Sequence, residues 1–225
     1  MKDMIFGRIV ERFWDERRAA ARLIVPPNLI PAPGQYLLAY DPDSDDPIAV
    51  ALFPAGISPE GLLVAPPLPS AWFPGRLLAL RGPLGHGFSL PPGARRVALA
   101  AVDLSPAYLL GLLPQAFEQG AAVCLLCQDP PVDLPTEVEI RPLATLEEVC
   151  HWADYLALAI SRAGWYAQRT ALFQSGLALP EWVQVLIRTA MPCAALASCG
   201  VCAVEMLPDR PALVCEEGPV FAVKA

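Results

Sequence analysis

The sequence predicts three parts in a row: a small antiparallel β-barrel, an α/β unit built on a parallel sheet, and a short cysteine-rich lobe. Three observations carry this. First, short apolar runs separated by turn residues recur up to about residue 93, as they do in antiparallel barrels. Second, continuous apolar runs then alternate with helical stretches, which is the signature of βαβ units. Third, four of the seven cysteines fall after residue 190. The 26 prolines among 225 residues argue against a helical bundle, because proline inside a helix removes a hydrogen bond and clashes with the preceding turn.

Taken in order, residues 4–10, 20–25, 35–40, 48–53, 61–65 and 76–81 read as barrel strands. Between the third and fourth, Asp41-Pro-Asp-Ser-Asp-Asp-Pro47 is a turn by composition. In the second part, 95–102 and 121–128 read as buried parallel strands, with 137–142 and 155–160 beside them. Helices are predicted over 106–119, 146–152 and 177–189. The resulting division is 1–93, 94–190 and 191–225.

Bulk composition narrows the function classes. The formal net charge is −7, and the basic residues between Arg8 and Arg22 are interleaved with Glu11, Asp15 and Glu16. That pattern predicts a solvated, salt-bridged face rather than a nucleic-acid surface. No export signal is visible at the N-terminus. The longest apolar stretch, 97–113, is interrupted by Asp103, Ser105 and Pro106, and is short of the ~18 residues of a membrane helix. The expectation is a cytoplasmic protein that binds neither nucleic acid nor membrane. Cysteines in such a protein point to metal or redox chemistry, or to burial, before disulfides.

Cys193, Cys199, Cys202 and Cys215 have the spacing C-x5-C-x2-C-x12-C. A plant-type 2Fe–2S site uses C-x4-C-x2-C and a distant fourth cysteine. Small residues between the first three suit a loop that wraps a cluster. The same four ligands could hold a tetrahedral zinc, or could be unligated core thiols. Cys124 and Cys127 lie three apart on a predicted strand and so face opposite ways. They and Cys150 are expected in the core.

Three segments together carry a resemblance. They are Pro33-Gly-Gln-Tyr36, Gly82-Pro-Leu-Gly-His-Gly-Phe88, and the cysteine lobe ending Cys215-Glu-Glu-Gly-Pro-Val-Phe221. In this order they resemble the iron–sulfur flavoprotein subunit that transfers electrons for dihydroorotate dehydrogenase, an enzyme of pyrimidine biosynthesis. The resemblance implies a ferredoxin-reductase-like fold and an oxidoreductase electron-transfer role. It implies FAD on the barrel, a nucleotide-binding α/β domain, a 2Fe–2S cluster on the four cysteines, and docking to a flavoprotein dehydrogenase or to a second copy. Electrons would run from dihydroorotate through the partner's FMN, the cluster and FAD to NAD. The flavin-site positions that it marks are Pro47, Ile48, Gly82, Gly85, His86 and Gly87.

The chain departs from the family pattern where nucleotides bind. The family's flavin motif, R-P-x-S or R-P-x-T, corresponds to Asp46-Pro47-Ile48-Ala49, an anion where a phosphate-facing cation belongs. Its glycine-rich turn corresponds to Ala100-Ala-Val-Asp-Leu-Ser-Pro106, without glycine, and its C-G-P turn to residues 157–161. These departures predict weakened FAD binding and no NADH binding of the usual kind. The alternative function is a non-catalytic scaffold whose cysteines hold zinc or nothing. His86 and His151 are expected in ordinary structural roles, and Trp152, Trp165 and Tyr166 in the core. No nucleophile–histidine–acid set can be assembled.

Overall fold

The computed structural model describes residues 5–45, 48–173, 177–206 and 210–223. It contains two sheets and a hairpin. Seven antiparallel strands form the first sheet: β1 (Ile5–Arg12), β2 (Ala21–Ile24), β3 (Tyr36–Tyr40), β4 (Val50–Leu52), β5 (Pro54–Ser58), β6 (Gly61–Val64) and β7 (Leu77–Leu84). Their order is β4-β3-β7-β1-β2-β6-β5. The two edge strands, β4 and β5, are joined by the single residue Phe53, so the chain itself nearly closes the barrel. Inside lie Ile9, Leu23, Leu37, Leu52, Leu62 and Leu78, each at most 2% exposed. In β1, β2 and β6 they alternate with more exposed residues, while β3 is buried on both faces because its other side packs into the shared core.

The second sheet has the order β10-β9-β8-β11-β12-β15. Its parallel strands are β8 (Arg96–Ala101), β9 (Ala122–Leu126), β10 (Val138–Arg141), β11 (Tyr155–Ser161) and β12 (Trp182–Arg188). Strand β15 (Val220–Val223) runs antiparallel on the β12 edge. The helices are α1 (Ala107–Leu110), α2 (Leu113–Glu118), α3 (Leu146–Trp152), α4 (Arg162–Phe173) and α5 (Val214–Glu217). Strands β13 (Ala203–Met206) and β14 (Arg210–Leu213) form the cysteine lobe's hairpin.

Strand β5 and the elements after residue 200 lie where no element is predicted, and three further regions differ from expectation. Residues 177–189 do not form a helix; they contain strand β12. Pro180 cannot sit in a helix interior, and Val183, Val185 and Ile187 are β-branched residues at alternate positions, which suits a strand. The helix α4 lies where no element is predicted, and Gly164 near its start weakens the helical signal. The helix expected over 106–119 is two short ones. Pro114 has no N–H to continue the first, and Gly111 packs against Pro33, which a Cβ would meet at 3.3 Å.

The expected fates of several side chains hold. Cys124, Cys127 and Cys150 are buried, and burial pushes the Cys124 and Cys150 thiols up to about 11. The N-terminal charge run is salt-bridged, Arg22 to Glu11 at 2.7 Å and Arg12 to Glu16 at 3.3 Å. Trp165 is fully buried and Trp152 partly so. Tyr166 is instead 41% exposed, with Arg162 and Arg169 against its ring. His151 is exposed and its Nδ1 meets the carbonyl of Glu147, one turn back on α3.

The barrel and the parallel sheet share a core. Tyr36 and Phe53 from the barrel and Tyr108 from α1 are at most 3% exposed, with ring centroids 5.5 and 5.2 Å apart along the series. The Tyr108 hydroxyl donates to the Pro66 carbonyl at 2.8 Å. Phe53 thus both joins the barrel edges and anchors the second unit. Phe53→Ala should lower unfolding stability by about 3–5 kcal/mol, the usual cost of emptying a buried aromatic site. Urea melts followed by tryptophan fluorescence measure this.

Candidate electron-transfer site

The four C-terminal cysteines lie around one loop and one short helix. Cys193 and Cys199 belong to the loop before β13, Cys202 opens the hairpin, and Cys215 sits on α5. The Sγ atoms of Cys202 and Cys215 are 3.3 Å apart. Cys193 is hydrogen-bonded to Cys199. The thiols therefore stand as two pairs. No group of three or more His, Cys, Asp or Glu among the described residues has metal-binding spacing as it stands.

Backbone N–H groups surround these sulfurs. Those of Ser198, Leu196 and Cys199 point to Cys193, and with the Cys199 side chain they hold its thiol down to about 6. The Ala197 N–H serves Cys215 and the Val201 N–H serves Cys199. Burial, followed by the neighbouring Cys202, drives the Cys215 thiol up to about 11. Ala194, Ala195, Ala197 and Gly200 all have left-handed φ, between 51° and 69°. Alanine carries a steric cost there, so three such residues in four positions are held by the surrounding contacts. Between Cys193 and Cys199 the loop makes this turn without the glycines that normally permit it.

Four thiols with peptide N–H groups near them are the donor chemistry that either a two-iron cluster or a tetrahedral zinc uses, and they stand here as pairs rather than as one closed set. Cys199 is exposed, and the tip beside it carries Leu196 at 63% and Val201 at 43% exposure.

The expected flavin positions take a different setting. Pro47, with Asp46, lies outside the described residues, and Ile48 is 54% exposed on the lead into β4. Gly82, Gly85, His86 and Gly87 form the end of β7 and the turn after it, and this turn is packed on the chain's own C-terminal segment. His86 donates its N–H to the Gly218 carbonyl at 2.7 Å, and its ring Nδ1 meets the Glu217 carbonyl at 2.9 Å. A Cβ on Gly85, at φ 75°, would fall 2.5 Å from Pro219 and 2.8 Å from the Gly218 oxygen. On Gly87 it would fall 2.6 Å from the Pro33 carbonyl. The glycines permit backbone-to-backbone contact within the protein. Nearby, an apolar cavity of about 410 Å³ lies between Leu38, Tyr40, Ala49, Gly82 and Ala194 of the cysteine loop. Arg81 on its wall donates to the Ala194 carbonyl. The cavity is of ring size, and the glycine turn beside it is packed on Gly218 and Pro219.

The nucleotide crevice is lined by the protein's own carboxylates. In an open parallel sheet, ligands bind beyond the carboxyl ends of the strands where the order reverses, here between β8 and β11. A cleft of about 400 Å³ opens beside this point, and Glu16, Asp103 and Asp129 face it. Arg17, on its rim, is held by Asp15 at 2.9 Å. Asp103 accepts the Ser161 N–H at 2.7 Å and the Ser161 hydroxyl, and Ser161 Oγ accepts the Gly164 N–H at 3.0 Å. This chain of bonds caps the start of α4. A helix N-terminus attracts anions, and here the protein's own carboxylate stands at it. Sequence reading singles out Asp103 but misses its partners. Their signal is the serine three residues ahead of Gly164.

Comparison with known proteins agrees with this architecture. A chain of the NADH-dependent reduced ferredoxin–NADP oxidoreductase studied for flavin-based electron bifurcation superposes with a TM-score of 0.71 over 99% of this chain and 90% of its own, at 16% identity. The Amycolatopsis cytochrome P450 reductase GcoB gives 0.58 over 78% and 67%, at 17% identity. The ferredoxin reductase of carbazole 1,9a-dioxygenase gives 0.56 over 79% and 64%, also at 17%. The fold is ferredoxin-reductase-like. No family model and no curated protein matches the sequence. Among the described residues, no helix is long and apolar enough to cross a membrane.

Gly85→Ala tests the seat of the C-terminal segment. The variant should lose about 2–4 kcal/mol of stability, from a left-handed φ and a collision with Pro219 that nothing can relieve without moving backbone. Thermal denaturation reads the loss; an unchanged melting temperature would contradict the packing.

Proposed function

We propose that this chain is an electron-transfer subunit that relays electrons through a 2Fe–2S cluster on Cys193, Cys199, Cys202 and Cys215. Its partner in this reading is a flavoprotein of the dihydroorotate dehydrogenase type. The observation that carries the reading is the cysteine loop. Three alanines held in left-handed backbone, with N–H groups turned on the sulfurs, are a costly arrangement for a loop with no ligand to enclose. A bound cluster would supply one-electron transfer. The chain's own residues would hold it: two thiolate pairs as ligands, and the Leu196–Cys199 amides as donors that favour charge on sulfur.

The exposed Leu196 and Val201 beside Cys199 suit docking of a partner at the lobe's tip, since apolar side chains on a metal loop serve packing only when covered. The fold is that of reductases, while the matched glycine turn packs on Gly218 and Pro219 and Asp103 stands at the nucleotide crevice. The reading is thus a one-centre relay, without NADH chemistry of its own and without FAD at the matched turn. The same two observations favour a second reading, a scaffold subunit of the same fold whose cysteines hold zinc or remain free.

One sample separates the two. The chain is purified without oxygen, its visible spectrum recorded, and iron, sulfide, zinc and flavin measured together. The relay requires about two irons per chain. A colourless protein that takes up no iron on reconstitution would remove the relay and leave the scaffold, with zinc content showing whether the cysteines bind metal. Flavin at one per chain would overturn the reading of the Gly82–Gly87 turn.

The nucleotide crevice makes its own prediction. Isothermal titration with NADH should give no saturable binding in the micromolar range. Asp103→Ala should leave that unchanged while lowering stability by about 1 kcal/mol, through the lost support of the α4 cap.

A further inference from the structure

Cys202 and Cys215 have a geometry that the relay alone does not use. Their Sγ atoms are 3.3 Å apart and joined by a hydrogen bond, so the two sulfurs already face each other. The backbone puts them there. Ala203 and Leu213 are the last paired residues at the open end of the β13–β14 hairpin, and beyond them the Val214 N–H donates to the Cys202 carbonyl at 3.3 Å. Cys202 and Cys215 therefore stand diagonally across the hairpin's open end. Among the described residues no group of three or more metal-binding side chains closes around them, so the two sulfurs form a unit of their own. A disulfide bond is about 2 Å long, and small rotations of two side chains already in contact would close one here. Cys202 is 1% exposed and Cys215 9%, so Cys215 is the side that a small reagent reaches.

We infer that Cys202 and Cys215 form a reversible disulfide in the metal-free chain, with a hydroperoxide as the oxidant. The Cys215 sulfur attacks one peroxide oxygen. The O–O bond breaks, and the Cys215 proton leaves with the other oxygen, as water when the oxidant is hydrogen peroxide. Cys215 is then a sulfenic acid. The Cys202 sulfur attacks it, the S–O bond breaks, and the hydroxyl leaves with the Cys202 proton as water. Two thiols lose two electrons and the peroxide gains them. The attack is slow, because burial disfavours the nucleophilic thiolate, and the same burial shields the finished bond from bulky reductants. Two consequences follow from closure. The bond ties off the twelve residues between the cysteines, which restricts the unfolded chain and raises the melting temperature. It also withdraws two of the four thiols, so the bond gates metal entry. This second consequence rests on the proposed metal reading; the bond itself does not.

Peptide mapping tests the bond. The full chain is reduced, stripped of metal with a chelator, blocked at its exposed thiols with N-ethylmaleimide and treated with hydrogen peroxide. A glutamate-specific protease then cuts at Glu205, between the two cysteines, and the peptides are weighed without reductant. The expected product is a Cys202 peptide joined to a Cys215 peptide, lighter than their sum by two hydrogens and separated again by dithiothreitol. In Cys202→Ser the Cys215 sulfenic acid should persist and be trapped by dimedone. Thiols that stay reduced, or a wild-type Cys215 that advances to sulfinic acid without the crosslink, would overturn the inference. For the gate, oxidised and reduced chains without maleimide are offered zinc, or iron with sulfide. The oxidised chain should take up about tenfold less metal until it is reduced, since a site with two of its four ligands removed binds weakly. Equal uptake would overturn the gate. If neither form takes metal, the relay fails, and the crosslink alone decides on the disulfide.

Discussion

The structure depends on a close contact between two backbones. The turn after β7 and the Gly218–Pro219 segment approach so nearly that no side chain fits between them at Gly85. On one side of this contact stands the barrel, and on the other the last strand of the parallel sheet, with Cys215 just before it. Through Gly218 the contact also reaches His86, and through Val220 it reaches Gly34, where a Cβ would fall 2.6 Å away. The cysteine lobe has little core of its own, only the hairpin and a four-residue helix. Its position is set by what it touches.

This changes the meaning of the retained motif. Gly82-Pro-Leu-Gly-His-Gly-Phe88 survives in the sequence while the residues expected around a flavin phosphate do not. A ligand-binding explanation leaves that mismatch unresolved. Packing resolves it, because Gly85 and Gly87 are required by Pro219 and Pro33 whether or not a flavin is present. The same turn can therefore be kept for the fold alone.

Much of the fold was legible because its periodicities are clean. Strands β1, β2 and β6 alternate, β8 and β11 are continuous apolar runs buried on both faces, and α3 spans the predicted residues. Legibility failed where two signals overlapped. Residues 177–189 are apolar enough for either element, and only Pro180 with the alternation of Val183, Val185 and Ile187 separates them. Helix α4 carries in its first turn Gly164, which Asp103 requires, so the residue that weakens the helical signal is the one the tertiary contact selects. In the site, cysteine spacing marks the four thiols, but spacing carries no information on the pairing or on the left-handed alanines. The pairing follows from how the hairpin folds back on α5, and the alanine loop meets the barrel through Arg81, 113 positions away.

Asp103 shows how one carboxylate can serve two elements at once. It stands at the start of α4 and, through Ser161, holds that helix in place. Removing it would uncap the helix, and Glu16 and Asp129 would still face the cleft. A charge at this crevice is therefore a structural part as well as a surface feature: any change that made the cleft friendlier to an anion would first have to replace the support that the carboxylate gives α4.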